Sequence, residues 1–393
     1  MNKRALTLLG VVMALATAGL ATEAPASAAP PPWAAVPACP GPAAKGTARC
    51  HAWVLPQASK GTNKGKKSGA GTVVGGMFPS TIKKAYNFPT SLTAGAGTTI
   101  AIVDAYDSPT AEKDLNVFST QFGLPSCTTT NGCFTKVNQT GGKTYPASNS
   151  QWALEISLDI QWAHAIAPGA KILLVEANSS NFSDLVVAES YANTHAGYVS
   201  NSWGGGEFSG ETSYDQYFGG PSVSTFVAAG DSGIGAEYPS SSPNVISVGG
   251  TTLFQANGGW TDSVWTKGGG GGSTVESANP VQLSFSQYGQ SDCAGMRATP
   301  DVGLDADPTT GVAVYDSTPY QSQSGWFVMG GTSASTPMWA ARAAVSGAHV
   351  DASYVYGNSI TFRDVTQGVN GQTNGATCLV GFDLCDGRGV WTN

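Results

Sequence analysis

The chain has little charge, little histidine and no long apolar run past its first residues. Asp, Glu, Lys and Arg make up 11% of its 393 residues, against roughly 25% in an ordinary globular domain. Hydrophobic residues still reach 41%, which excludes a disordered chain and calls for a core. The length suffices for one large core of about 250–300 residues with appendages. The four histidines are His51, His164, His195 and His349, and none is followed by Gly-Thr. No Cys-x-x-Cys or paired Cys/His spacing occurs, so a zinc site is not expected. The leading apolar run Leu6–Leu20 falls short of the roughly 20 residues of a membrane span and carries Thr7, Gly10, Thr17 and Gly19. No membrane partner is expected. After Lys67, 11 Lys and Arg stand against 25 Asp and Glu, and so acidic a body argues against nucleic acid as a partner. No internal repeat is evident.

The beginning of the chain is a targeting signal. Lys3 and Arg4 precede the apolar run, and Ala26-Ser27-Ala28 is an Ala-x-Ala cleavage site. Residues 1–28 are therefore expected to be a signal peptide and the protein to be secreted and extracellular. Residues 29–77 follow as a short basic segment, expected to be poorly ordered. Six cations (Lys45, Arg49, Lys60, Lys64, Lys66, Lys67) stand in 29–67 without one acid. Such a leader is attracted to the acidic body near neutral pH and loses that attraction as carboxylates protonate. Cysteines total seven. Secretion favours disulfides, and the close spacings suggest Cys39–Cys50, Cys127–Cys133 and Cys378–Cys385 with Cys293 left over, although spacing alone does not settle connectivity.

From Thr99 onward, short apolar strands alternate with helical patterns. Strands are expected at 100–104, 171–176, 198–202, 224–229, 245–248, 311–315 and 326–329, with helices at 109–121, 152–165, 183–195 and from Ser333 to about 347. The glycine run 268–272 reads as a flexible surface loop. This alternation predicts an α/β fold, a mostly parallel sheet with helices on both faces. Ligands of such sheets sit at the carboxyl ends of strands. Asp104, Ser202, Asp231 and Ser333 all fall at or just after such ends.

Ser333 lies in Gly330-Gly331-Thr332-Ser333-Ala334-Ser335-Thr336-Pro337. At a helix start its own N–H lacks an intrahelical partner and can serve an oxyanion. Pro337 is expected in the first turn, where proline is tolerated. A plain Ser/Thr cap is the bland alternative. Glu155 and Asp159 are four apart on one helical face, among the apolar Trp152, Ile156, Ile160 and Ala163. Two carboxyls this close resist ionising together, so one keeps a proton. Glu155 can then act as base toward Ser333 while Asp159 orients it. Alone, the pair is equally a solvated acidic face, and its separation also fits a glycosidase. Asp231, in Gly230-Asp231-Ser232-Gly233, can donate a hydrogen bond only when protonated, or it simply forms a turn. Both groups point to work in acid.

Glu155-x-x-x-Asp159, Ser202-Trp203-Gly204, Gly230-Asp231 and Gly331-Thr332-Ser333-x-x-x-Pro337 resemble, in kind and order, the motifs of the sedolisin family of serine-carboxyl peptidases. The resemblance runs from about Phe78 to the end, giving a peptidase domain at 78–393. It implies a subtilisin-like fold, catalysis by Ser333, Glu155 and Asp159, and Asp231 in the oxyanion hole. It implies further that Ser202 and Gly204 bind substrate and that Asp104 extends a hydrogen-bond network through Trp203. Asp364, Val365, Gly381 and Asp383 match the family's site for one Ca²⁺ ion, whose hard charge suits carboxylate and carbonyl oxygens. The expected function is hydrolysis of protein or peptide substrates by a monomeric endopeptidase, with its own pro-segment as a partner. A tripeptidyl exopeptidase, a catalytically silent binding protein of the same fold, and a Ser-His-Asp enzyme using His164 are the rival readings.

Overall fold

The structure, a computed structural model, describes residues 34–56, 74–357, 360–371 and 376–392. The expected signal peptide lies outside them, as do four of the leader's six cations. Among the described residues no helix is long and apolar enough to cross a membrane.

A ten-stranded sheet forms the frame. Its order is Phe362–Arg363, Val390–Trp391, Val302–Asp305, Ile246–Ala256, Ser224–Ala228, Tyr198–Asn201, Thr99–Ala105, Lys171–Ala177 and Phe134–Asn138, with Gly259–Val264 branching off Ile246–Ala256. Neighbours run parallel from Phe134–Asn138 across to Val390–Trp391. The strands read as near-continuous apolar runs because they are covered; Ile100 to Val103 are fully buried. The α/β alternation is as expected, although the strand expected at 245–248 runs on to Ala256, and those expected at 311–315 and 326–329 form, with Trp53–Leu55 and Val36–Pro37, a separate antiparallel sheet.

Two helices carry most of the chemistry. Ser150–Ile166 starts on Asn149, whose side chain accepts from the N–H groups of Gln151 and Trp152, and it is buried from Trp152 to Ile166. Apolar on nearly every side, it is a core helix. Trp162 Nε1 donates to Ala313 O at 2.9 Å, and Gln161 exchanges bonds with the backbone of Tyr315. Those bonds pin the helix to the strand Val312–Tyr320. The helix Thr332–Ser346 packs against Ser150–Ile166 and against the central strands.

Three expectations need correction. Pro337 lies inside the helix Thr332–Ser346, beyond its first turn. It supplies no N–H for the carbonyl of Ser333, so the backbone is freed of one bond just where the hydroxyl sits. The glycine run is largely buried, not a surface loop: Gly268 to Gly271 are covered, and Gly269 N donates to Gly230 O at 2.6 Å. Most consequential, residues 34–56 are not a poorly ordered leader. Arg49–Cys50 pairs antiparallel with Trp203–Gly206, and Trp53–Leu55 pairs antiparallel with Gln323–Gly330 and with Val36–Pro37. Two strand edges supply the pairing, and the Cys39–Cys50 disulfide adds a covalent tie that does not depend on apolar content. The other two disulfides, Cys127–Cys133 and Cys378–Cys385, form as the spacings suggested, with Cys293 free and buried.

Because Trp162 is fully buried and bonds across to Val312–Tyr320, Trp162→Ala is expected to cost about 3–5 kcal/mol. Denaturant unfolding monitored by circular dichroism measures it.

Candidate active site

Ser333 is the residue after Thr332 at the start of its helix, directly beyond the strand Gln323–Gly330. Gly331 enters that turn at φ 95°, a conformation open to glycine. It also has no room for a side chain: a Cβ there would lie 1.9 Å from His51 O and 2.9 Å from an Asp231 carboxyl oxygen. Ser333 is buried, and its hydroxyl donates to Ser202 O at 3.3 Å.

Glu155 and Asp159 come from the buried face of Ser150–Ile166 and are fully inaccessible. The Glu155 carboxyl is pushed well up from the ordinary carboxylate range by burial and by Asp159, with the nearby Ser333 hydroxyl pulling the other way. Asp159 is pushed well up by burial and by Asp104, while Ser202 and Glu155 as hydrogen-bond neighbours draw it down. Asp104 is raised by burial, Glu155 and Glu176. Glu176, opposite Asp104 in the sheet register, was not singled out in the sequence. Lys136 reaches it at 3.4 Å, yet burial still holds it at about 8.

Asp231 follows the strand Ser224–Ala228. Its Oδ1 accepts from Thr332 N at 2.9 Å and Thr332 Oγ1 at 2.8 Å, and its Oδ2 has no partner. Burial raises its pKa to about 6, against the opposing pull of His51, Thr332 and Arg49. Gly204 lies on the strand Trp203–Gly206 that pairs with Arg49–Cys50, and Ser202 directly precedes it. Trp203 does not bridge to Asp104. Its indole donates to Val103 O at 2.7 Å, and neither Asp104 oxygen has a hydrogen-bond partner; the one N–H of the indole is already spent. His164 is elsewhere, bonded to Pro125 O and close to the Cys127–Cys133 disulfide. Burial lowers its pKa, so the Ser-His-Asp reading has no geometric support.

The N-terminal segment runs through the middle of this constellation. His51 N donates to Ser202 O at 3.1 Å, the carbonyl that also accepts from Ser333. Ala52 N donates to Glu155 Oε2 at 3.0 Å. His51 O borders Gly331 alongside Asp231. The peptide bond between His51 and Ala52 therefore sits among Ser333, Glu155 and Asp231, three of the four expected catalytic groups. The His51 ring turns away, to within 3.1 Å of Glu237 Oε2. Burial alone would raise the Glu237 carboxyl, but His51, Arg49 and Ser232 outweigh it and hold it at about 2. His51, Ala52 and Glu237 were missed because their roles depend on pairing between strands far apart in sequence.

In the C-terminal part, Asp364 Oδ2 accepts from Gly381 N at 2.8 Å, and Asp383 accepts from the N–H groups of Leu379, Cys385 and Asp386. Val365 is buried beside them. Asp364 Oδ1 and both oxygens of the buried Asp386 have no hydrogen-bond partner.

Fold and site together define a subtilisin-like α/β protein with a serine–carboxyl centre. A profile of the subtilase family matches residues 134–358. Kumamolisin of Bacillus sp. (strain MN-32) is 29% identical over 353 residues, covering 79% of this chain and 61% of the relative. Xanthomonalisin of Xanthomonas sp. (strain T-22) is 28% identical over 376 residues, covering 76% and 43%. The structure of Pseudomonas sedolisin, a serine-carboxyl proteinase complexed with pseudo-iodotyrostatin, superposes with a TM-score of 0.67 at 26% identity, over 82% of this chain and 96% of that one. The chain belongs to the subtilase family, in its sedolisin branch. It spans less than two thirds of the length of the two curated relatives named here.

The raised pKa of Asp231 has a signed consequence. A carboxyl that holds its proton more tightly when folded costs nothing in acid and destabilises the fold as it ionises. Stability should fall as pH rises from near 3.8 through about 6, by up to about 3 kcal/mol. Asp231→Asn should flatten that part of the curve, as read from unfolding midpoints across the window.

Proposed function

We propose that this chain is a secreted serine-carboxyl endopeptidase that acts in acid. The observation that carries the reading is the His51–Ala52 peptide bond, held among Ser333, Glu155, Gly331 and Asp231. Ser333 Oγ attacks the substrate carbonyl and gives its proton to Glu155, whose neighbour Asp159 shares the charge. The carbonyl oxygen, now negative, takes a hydrogen bond from protonated Asp231 and from the Ser333 N–H at the helix start. Glu155 returns the proton to the leaving nitrogen, the C–N bond breaks, and an acyl-enzyme remains on Ser333. Water resolves it by the reverse sequence. A carboxyl base and a protonated donor together place the optimum below about pH 5, whereas imidazole would titrate near 6.5.

The segment from Arg49 to Leu55 enters on one strand and leaves on another. A cleft open at both ends favours an endopeptidase over the tripeptidyl alternative, which needs a closed end. Filled by its own chain, the cleft is silent, which supports residues 29–77 as a pro-segment. The three disulfides favour an extracellular setting.

One Ca²⁺ ion is proposed at the C-terminal site. The unpartnered Asp364 Oδ1 and Asp386 carboxylate fit a hard cation, with Asp383 and the carbonyls of Val365 and Gly381 completing the donors. Its contribution would be structural, tying two loops.

Ser333→Ala and Glu155→Ala should each abolish Ser333-dependent hydrolysis of an unfolded protein in acid while leaving the fold intact. The double variant should cost little more than either single, since the groups act as one unit. Cleavage by Glu155→Ala at the wild-type rate, or a wild-type optimum at about pH 7–8, refutes the mechanism. A chelator should lower the unfolding midpoint near neutral pH. That shift should vanish in Asp364→Ala and Asp383→Ala; no shift in the wild type refutes the calcium site.

A further inference from the structure

Glu237 has no part in the serine–carboxyl mechanism, yet it is a nearly buried carboxylate facing the cleft. It lies on the strand Glu237–Tyr238, antiparallel to Trp203–Gly206, the same strand that Arg49–Cys50 pairs from its other edge. The substrate-like segment and Glu237 thus flank one strand. The carboxyl group is seated with care. A Cβ on Gly230 would lie 2.8 Å from its carboxyl carbon, and one on Gly204 would lie 3.2 Å from the His51 ring. Ser232 donates to Oε1 at 3.1 Å. The two remaining partners come from the segment in the cleft: His51 at 3.1 Å and Arg49 at 3.8 Å.

We propose that Glu237 selects a cationic side chain immediately before the scissile bond, and that His51 is its first, intramolecular occupant, so that the chain's own cut falls between His51 and Ala52. The proposal rests on the peptidase reading above and names the specificity of that site.

The argument is one of compensation. A carboxylate taken out of water needs a cation or several donors. When the segment leaves, His51 and Arg49 leave together and Glu237 keeps only Ser232. A substrate that brings His, Arg or Lys to the same place restores the pairing. An apolar side chain leaves the carboxylate both buried and unpaired, and such a mismatch discriminates strongly. Arg49, two residues before His51, adds a second cation on the same carboxylate, which extends the preference upstream. The cut itself balances as in any acyl transfer: the His51–Ala52 C–N bond breaks, the His51 carbonyl passes to Ser333 and then to water, and Ala52 leaves as a free amine. Cys39 and Cys50 remain on one product, so the disulfide does not hold the two pieces together.

The test maps the bonds cut in a denatured protein mixture by the full chain in acid, using mass spectrometry, with Ser333→Ala as control. Cuts after His, Arg and Lys should exceed their abundance in the mixture by about ten-fold or more. The first self-cut should leave a new N-terminus at Ala52. Glu237→Gln should lower the ratio of kcat/KM for a peptide with Arg before the cut to that for its Leu counterpart by at least about ten-fold, and His51→Leu should slow self-cleavage where His51→Arg preserves it. Ser333-dependent cutting with no enrichment for cations overturns this inference and leaves the peptidase reading standing, a result the wild type gives without any variant. Absence of Ser333-dependent cutting overturns both.

Discussion

Burial of carboxyl groups with only each other for company is the constraint on which the site depends. Glu155, Asp159 and Asp104 are completely inaccessible, and the neighbouring charges that act on each are those of other carboxyls. A low-dielectric interior cannot hold several such negative charges, so protons must. His164 in the same helix illustrates the contrast. Burial pushes its pKa down, so an imidazole packed this deeply stays neutral by giving up its proton. A carboxyl stays neutral by keeping one. The helix Ser150–Ile166 therefore holds carboxyls of raised pKa where a more exposed helix would have offered a solvated acidic face. The burial comes from packing: the helix is covered by the partner helix Thr332–Ser346 and by the strand Val312–Tyr320, to which the Trp162 and Gln161 bonds tie it.

The sheet determines where those groups meet. Parallel strands place their carboxyl ends on one edge, and Ser202 and Asp231 follow two such ends, while Ser333 follows Gln323–Gly330 of a separate antiparallel sheet. The strands Trp203–Gly206 and Gln323–Gly330 each offer one edge to the N-terminal segment. Strand edges accept extended chain by backbone pairing, and Arg49–Leu55 satisfies both edges at once. The same pairing that would bind a substrate holds the N-terminal segment, so order in residues 34–56 and occupancy of the cleft have one cause.

Much of this was legible from sequence. The alternation of apolar strands and helices from Thr99 gave the layers. The spacing of Glu155 and Asp159 gave the pair, and the strand-end positions gave Asp231 and Ser333. What stayed hidden depended on distant pairing. The composition of residues 29–77 reads as solvated chain, since neither edge strand nor the Cys39–Cys50 bond contributes to hydrophobicity. His51 seemed irrelevant because it was weighed as a base, whereas its backbone lies at the reacting centre and its ring elsewhere. Glu176 and Asp386 were passed over because an isolated acid at the end of a strand or in a loop carries no pattern. The indole of Trp203 donates to Val103 O, a backbone partner that no motif encodes.

The cleft thus contains carboxyls buried in two different ways, and the difference explains how one small region can both react and select. Glu155, Asp159 and Asp104 lack compensating cations, and their burial cost is met by protons. Glu237 is compensated by His51 and Arg49, and its burial cost is met by charge brought in on a peptide. On the proposed reading, loss of the segment changes neither the dyad's packing nor its need for protons, but leaves Glu237 without its cations. The site so emptied is primed for a chain that carries a cation in the same place, because that chain alone repays the desolvation already built into the pocket.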